Sequence, residues 1–288
     1  MKVNAIITLL CASLVFASTD LQSERLKRRQ AARANRSLLP REPAAPIDLV
    51  AHGGRRHVTY NEEWCGVILD GTGFTFITGT ITVPTPKIPA GGSSGTEYSV
   101  SAWVGIDGDA CTNSLVQTGI DASISGSSIS YNAWYEVRIG TNVATVFLLT
   151  QHDKWYPDYS YDFSGISISA GNTVKLTISL TSTTAGEAII ENISTGTTVT
   201  HKFTGEPALC EKSAEWIIED FEDGGTLVPF ANFGSLEFYD AYAIENGKTV
   251  YPNGSGGKIV DMQQGSTVVC SCSLSGTGAN SDIICAYE

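Results

Sequence analysis

The segment AEWIIEDFEDGG, residues 214–225, sets acids among large apolar side chains. Trp216 to Phe221 reads as a β-strand, so successive side chains alternate between two faces. Ile217, Glu219 and Phe221 share one face, and Trp216, Ile218 and Asp220 share the other. Each face therefore carries a carboxylate in a strand whose other residues want to be core. Burying a charge is costly unless it is paired or its pKa shifts. A carboxylate kept there can do chemistry. Glu219 as the anion could take a proton and as the acid could return it. A second stretch, SLVQTGID (114–121), puts Leu115, Gln117, Gly119 and Asp121 on one face. The Gln117 amide offers N–H donors and a carbonyl acceptor. Unlike a second Asp, it keeps its charge state at every pH. A third stretch, SAWVGIDGDAC (101–111), carries Trp103, Asp107 and Asp109. Taken singly, Gln117 and Glu219 also read as ordinary exposed strand residues.

Other chemistries lack their residues. After residue 57 only His152 and His201 remain, with no motif supporting a Ser-His-Asp or Cys-His site. His201, in TVTHKF, reads as an exposed strand residue. There is no HExxH, no Gly-rich phosphate loop and no Asp-Thr-Gly or Asp-Ser-Gly of the pepsin type. No cofactor and no metal is expected.

The elements that must hold these side chains are strands. From Val58 onward, alternating stretches such as FTFITGTITV, TVKLTISLTS and SLEFYDAYAI are separated by Gly, Asn, Pro and Ser. Few helical stripes occur. The pattern predicts an all-β domain, most simply a sandwich of antiparallel sheets.

Ahead of it, Lys2 and the run AIITLLCASLVFA form a secretory signal ending at Ala17, too short for a comfortable membrane span. An exported, soluble chain is expected. Residues 18–57 hold nine Lys/Arg against four Asp/Glu, whereas residues 58–288 hold eight against 26. The basic part is either a disordered tail or, as favoured here, a propeptide. A propeptide would pair with the acidic domain at neutral pH and let go as carboxylates protonate. Arg55-Arg56 suits a processing cut. An acidic domain repels nucleic acid and anionic lipid, so neither is an expected partner. A monomer is the default. Six Cys remain beyond the signal, Cys65, Cys111, Cys210, Cys270, Cys272 and Cys285, and an even number in an exported chain suggests disulfides rather than zinc. Asn192 (NIS) and Asn253 (NGS) match the glycan-acceptor pattern.

Several motifs in order, AWVGIDGDAC, Gln117 six residues after its Cys, YNAWYE, WYPDYSYDFS and the C-x8-E-D-F that ends at Phe221, resemble the glutamic peptidases, the fungal pepstatin-insensitive acid proteases called eqolisins. The resemblance runs from about Asn61 to the C-terminus. It implies a jelly-roll or concanavalin-like β-sandwich, an acid endopeptidase acting on polypeptides, and Gln117 with Glu219 as the catalytic pair on a concave face. Glu215, only five residues after Cys210, is the wrong carboxylate by position. The resemblance also implies a supporting shell of Trp64, Trp103, Asp107, Asp121, Glu136, Tyr156 and Phe221. Cys111 and Cys210 each lie just upstream of a catalytic residue, so a bridge between them would tie the two strands, with Cys272–Cys285 as a C-terminal pair. Cys65 and Cys270 either pair or stay free.

The chain departs from the family in three places. Asn132 stands in YNAWYE where the family usually has Asp, and Cys65 follows Trp64 where it tends to have Gly. Val137–Lys154 interrupts a motif that its removal restores as YNAWYEWYPDYSYDF. These 18 residues are read as a retained intron, or alternatively as a real loop or hairpin that would split a catalytic strand after Glu136. Two rival functions share the fold class. The first is a glycan-active or glycan-binding β-sandwich, whose aromatic residues would suit sugar stacking but in which a Gln117–Glu219 pair has no role. A retaining glycosidase needs carboxyls about 5 Å apart, whereas Glu215 and Glu219 on one strand stand roughly 13 Å apart. A catalytically dead relative is disfavoured by the intact Gln117 and Glu219.

Overall fold

The computed structural model describes residues 58–111, 114–139, 160–205, 208–223 and 226–288. The signal, the basic segment, Tyr156 and most of Val137–Lys154 lie outside the described residues. The strands are β1 (Val58–Asn61), β2 (Trp64–Asp70), β3 (Phe74–Thr82), β4 (Glu97–Ile106), β5 (Ser114–Ser125), β6 (Ser128–Ile139), β7 (Tyr161–Asp162), β8 (Thr173–Ser182) and β9 (Ala185–Asn192). They continue as β10 (Thr197–Thr204), β11 (Ser213–Glu219), β12 (Glu222–Asp223), β13 (Thr226–Leu227), β14 (Ser235–Glu245), β15 (Lys248–Val250), β16 (Lys258–Gln264), β17 (Thr267–Ser275) and β18 (Asp282–Tyr287).

The strands form a two-layer β-sandwich. One layer runs β10-β9-β8-β3-β14-β18-β17 and the other β16-β2-β11-β4-β5-β6-β7, with the β16–β17 hairpin passing from one to the other. All strand pairings are antiparallel except β1, which lies parallel to β16. Outer strands show the period of two that alternation predicts. In β9 buried and half-buried residues strictly alternate. Strand β11 differs, because every one of its residues is buried. It lies between β2 and β4, and both of its faces are covered.

Its inner face makes the inter-layer core. Trp216 and Ile218 join Val67, Val104, Val116, Ile77, Leu176 and Phe238 in one apolar cluster. The Trp216 indole N–H crosses the layers to donate to the Thr78 carbonyl at 2.9 Å. Its opposite face, with Glu215, Ile217 and Glu219, joins a second cluster made of Ile68, Trp103, Trp134, Val260 and Trp64. Two Trp side chains on that face need room. Gly119 lies between Trp103 and Trp134 in register, and a Cβ there would stand 2.4 Å from the Ala102 carbonyl oxygen and 2.6 Å from the Trp103 Cβ.

Three disulfides reinforce the layers. Cys65–Cys270 links β2 to β17 across the two layers, so this pair is bonded rather than free. Cys111–Cys210 ties the loop after β4 to the approach to β11, and Cys272–Cys285 spans directly opposed residues of β17 and β18.

Three sequence expectations change. Strand β6 does not end at Glu136. It continues through Ile139, pairing Val137, Arg138 and Ile139 with Val116, Leu115 and Ser114, because backbone pairing with β5 does not depend on side-chain identity. His201 is half-buried rather than exposed, since its ring stacks on Tyr135 with centroids 3.8 Å apart, and burial lowers its pKa. Asn192 is no glycan acceptor. It is fully buried, and its amide donates to the Ser167 carbonyl and to Asn172 Oδ1.

Gly119→Ala is expected to destabilise the domain by about 1–3 kcal/mol through overpacking against Trp103 and Ala102. A urea unfolding midpoint equal to that of the unmutated protein would show that the close packing has slack.

Candidate active site

Register decides which side chains meet. Across β11, β4, β5 and β6, one row reads Glu219, Ser101, Asp121, Asn132. The next reads Ile217, Trp103, Gly119, Trp134, and the third Glu215, Gly105, Gln117, Glu136. On the other side of β11, Trp64 of β2 stands opposite Glu219. All these rows share one face of the layer. Gln117 and Glu219 are thus on the same face, two strands apart, with Trp103 on the strand between them.

Both oxygens of Glu219 accept indole N–H groups. Trp103 Nε1 donates to Oε2 at 2.8 Å, and Trp64 Nε1 to Oε1 at 3.2 Å. The two indoles meet edge to face, with centroids 5.3 Å apart. Hydrogen bonds to an ionised acceptor are stronger than neutral ones, so the two donors offset part of the cost of a charge at this fully buried position. Gln117 is also fully buried. Its Nε2 donates to Glu136 Oε2 at 2.8 Å, while its Oε1 and the Glu136 Oε1 have no partner. Fixing one amide N–H on Glu136 orients the whole group, so its second N–H and its carbonyl face a defined direction. Buried polar atoms without partners are costly in a folded protein and mark where a substrate or water group would be received.

The remaining side chains divide by what they touch. Trp134 Nε1 donates to Asp121 Oδ1 at 3.0 Å, which fixes the floor between β5 and β6. Asp107 is engaged by the loop before β11. Its carboxylate accepts the backbone N–H groups of Cys210, Glu211 and Lys212 at 2.7, 3.0 and 2.7 Å, and its own backbone sits at φ 67°. It therefore shapes the loop entering β11. Phe221 is buried just beyond the strand end. Tyr156 lies outside the described residues.

Glu215 shares the face with Glu219 but is engaged differently. Its Oε1 accepts Asp109 N at 3.0 Å and Ser213 Oγ at 2.9 Å, and its Oε2 has no partner. Burial first, and then the negative Asp109, push its pKa well above the ordinary glutamate range, against the pull of those two donors. It is held as a neutral acid in an acidic medium. Asp220, on the inner side of the strand end, is likewise buried, and its pKa is pushed up to about 7. Among the described residues, the two groups with metal-ligand spacing both contain cysteines already committed to disulfides.

Residues 62–287 match the model of the Peptidase A4 family. The chain belongs to that family. Aspergillopepsin-2 of Aspergillus niger is 38% identical to it over 96% of this chain and 97% of the relative. Scytalidopepsin B of Scytalidium lignicola is 35% identical over 81% and 80%. Among solved structures, scytalido-glutamic peptidase with a transition state analog inhibitor superposes with a TM-score of 0.64 at 34% identity, covering 79% of this chain and 99% of that one. Aspergilloglutamic peptidase from Aspergillus niger gives 0.55 at 42% identity, over 66% and 99%. Membership in the Peptidase A4 family makes the chain a peptidase built on a β-sandwich. Two residues around the site escaped the sequence reading. Asn61 accepts two N–H groups in the turn before Trp64 and had a local cue in its place before a strand, whereas Gln264 lies far away in sequence and had none.

A buried acid with a raised pKa contributes stability that is fully present below its unfolded value, 4.5 for Glu215, and is lost as the pH rises. Glu215→Gln should therefore leave the urea midpoint nearly unchanged at pH 3 and raise it at pH 7. A variant weaker than the unmutated protein at both pH values would mean that Glu215 is ionised in the fold.

Proposed function

We propose that this chain is a secreted acid endopeptidase whose Gln117 and Glu219 cut peptide bonds through water. The supporting observation is the asymmetry of the two side chains. Glu219 is a carboxylate with an indole N–H on each oxygen, and Gln117 is an amide oriented by Glu136 with its oxygen unpartnered. With a scissile carbonyl between them, Glu219 removes a proton from water as the oxygen attacks the carbonyl carbon. The remaining N–H of Gln117 stabilises the tetrahedral oxyanion, and its carbonyl orients the water. The protonated Glu219 then gives its proton to the amine as the C–N bond breaks. Trp103 and Trp64 hold the carboxylate in place, and Trp134 with Asp121 forms the neighbouring floor. No metal is required, because the base, the oxyanion donor and the acid are all supplied by side chains.

Secretion and activation belong to the same reading. The signal-like start, the basic residues 18–57 and three disulfides fit an exported zymogen. The basic segment would be released as carboxylates of the acidic domain protonate. Val137–Lys154 is read as a retained intron. Without it, Tyr156 takes the register position opposite Leu115, two residues past Glu136 and by alternation on its face. Transcript amplified across this point should lack those codons, and a mature message that retains them would overturn the intron.

The deciding measurement is hydrolysis of a denatured protein in acid with pepstatin present, using the processed chain with and without Val137–Lys154. Glu219→Gln is expected to lower kcat by about 10²–10⁴, the range for a lost general base. Gln117→Ala is expected to cost about 10²–10³ in kcat, as for a lost oxyanion donor. Activity that survives Glu219→Gln would assign the base elsewhere, with Glu136 tested next.

A further inference from the structure

The turn that delivers Trp64 to Glu219 is gripped from outside the site. Asn61 Oδ1, at the end of β1, accepts the N–H groups of Glu63 at 2.7 Å and Trp64 at 2.9 Å. The Glu63 carbonyl accepts the N–H of Asp220, the residue after Glu219, at 2.9 Å. Gln264, the last residue of β16, makes the remaining ties. Its Nε2 donates to the Glu62 carbonyl at 3.3 Å and to Asp220 Oδ2 at 2.7 Å. One amide therefore joins the turn before β2 to the residue that follows β11. Those strand ends are where Trp64 and Glu219 stand opposite each other. Asp220 is buried, and its Oδ1 has no partner. A half-bonded buried carboxyl is tolerated at low cost only when neutral.

We propose that Gln264 and Asp220 are a positioning pair that holds the Trp64 indole on Glu219, and that they do so with Asp220 protonated. This deepens the proposed peptidase and rests on its assignment of Glu219 as the base. The groups facing Asp220 are Glu63 from the turn, Gln264 from β16 and Tyr287 from β18, whose own pKa Asp220 raises. Glu219 lies next in the chain on the opposite face. None of these is a cation. Burial pushes Asp220 up to about 7, Gln264 pulls it down, and Glu63 adds to the rise. Below that pH the pair is neutral and the turn is clamped. Above it, a buried negative charge forms behind Glu219 and beside Glu63. Glu63 in the turn is then repelled from Asp220, and the Trp64 donor is withdrawn from the catalytic carboxylate.

Two readouts test the pair on the processed full-length chain. The first is the Trp64 emission, taken as the difference between the unmutated protein and Trp64→Phe from about pH 4 to 8. It should change in one step near neutrality, and Asp220→Asn should abolish the step, because the amide is neutral throughout. The second is the split of kcat from KM on a quenched peptide in acid. Gln264→Leu removes both of its ties and should lower kcat at least about five- to tenfold, the worth of one hydrogen bond, with KM nearly unchanged. A Trp64 step that persists in Asp220→Asn, or no step at all, overturns the pair, as does unchanged kcat in Gln264→Leu. If Gln264→Leu does not fold, the emission of Asp220→Asn decides alone. Absence of cleavage by the unmutated chain would count against the peptidase, while the emission readout still decides the pair.

Discussion

The structure turns on one strand that is buried on both faces and still carries acids. Strand β11 contributes Trp216 and Ile218 to the inter-layer core and Glu215, Ile217 and Glu219 to the opposite face. A carboxyl in that setting must be bonded, neutral or both. Each acid meets the demand in its own way. Glu219 takes an indole N–H on each oxygen, Glu215 takes a hydroxyl and a backbone N–H on one oxygen, and Asp220 takes a single amide donor. The three solutions differ in the donors each carboxyl receives, and for Glu215 and Asp220 the proton is favoured where an oxygen is left bare.

Medium and fold are coupled through those protons. The domain beyond residue 57 has eight Lys/Arg for 26 Asp/Glu, so few cations are available to pair with buried acids. Glu215 and Asp220 have raised pKa values, and Asp261 follows them mainly through burial. Protonation removes the cost of burying each of them. Such a domain gains in acid what a domain held by ion pairs would lose. The three disulfides lock strand ends together whatever the charge state.

Rigid positioning of Gln117 has a different origin. The Gly105 and Gly119 positions leave space for Trp103, which lies on the strand between Glu219 and Gln117. Glu136 then fixes the amide from the far side. The apolar packing of Trp103 and Trp134 and the polar ties of Gln117 and Asp121 are therefore one construction, because each indole also donates its N–H.

Much of this was legible in the sequence because a strand has a period of two. Alternation alone put Glu219 with Ile217, Gln117 with Asp121, and Asp220 on the other face, and the motifs around Trp103, Gln117 and Glu219 carried the family. The charge division was equally local. What alternation cannot supply is which strands are neighbours and in what register. Only the tertiary structure set Glu219 opposite Trp64, turned Asp107 onto the Cys210–Lys212 backbone, buried Asn192 and stacked His201 on Tyr135. Gln264 illustrates the limit, since its partners Glu62 and Asp220 are 202 and 44 residues away. A side chain's face follows from its own strand, but its partners follow from the pairing of distant strands, which no local pattern encodes.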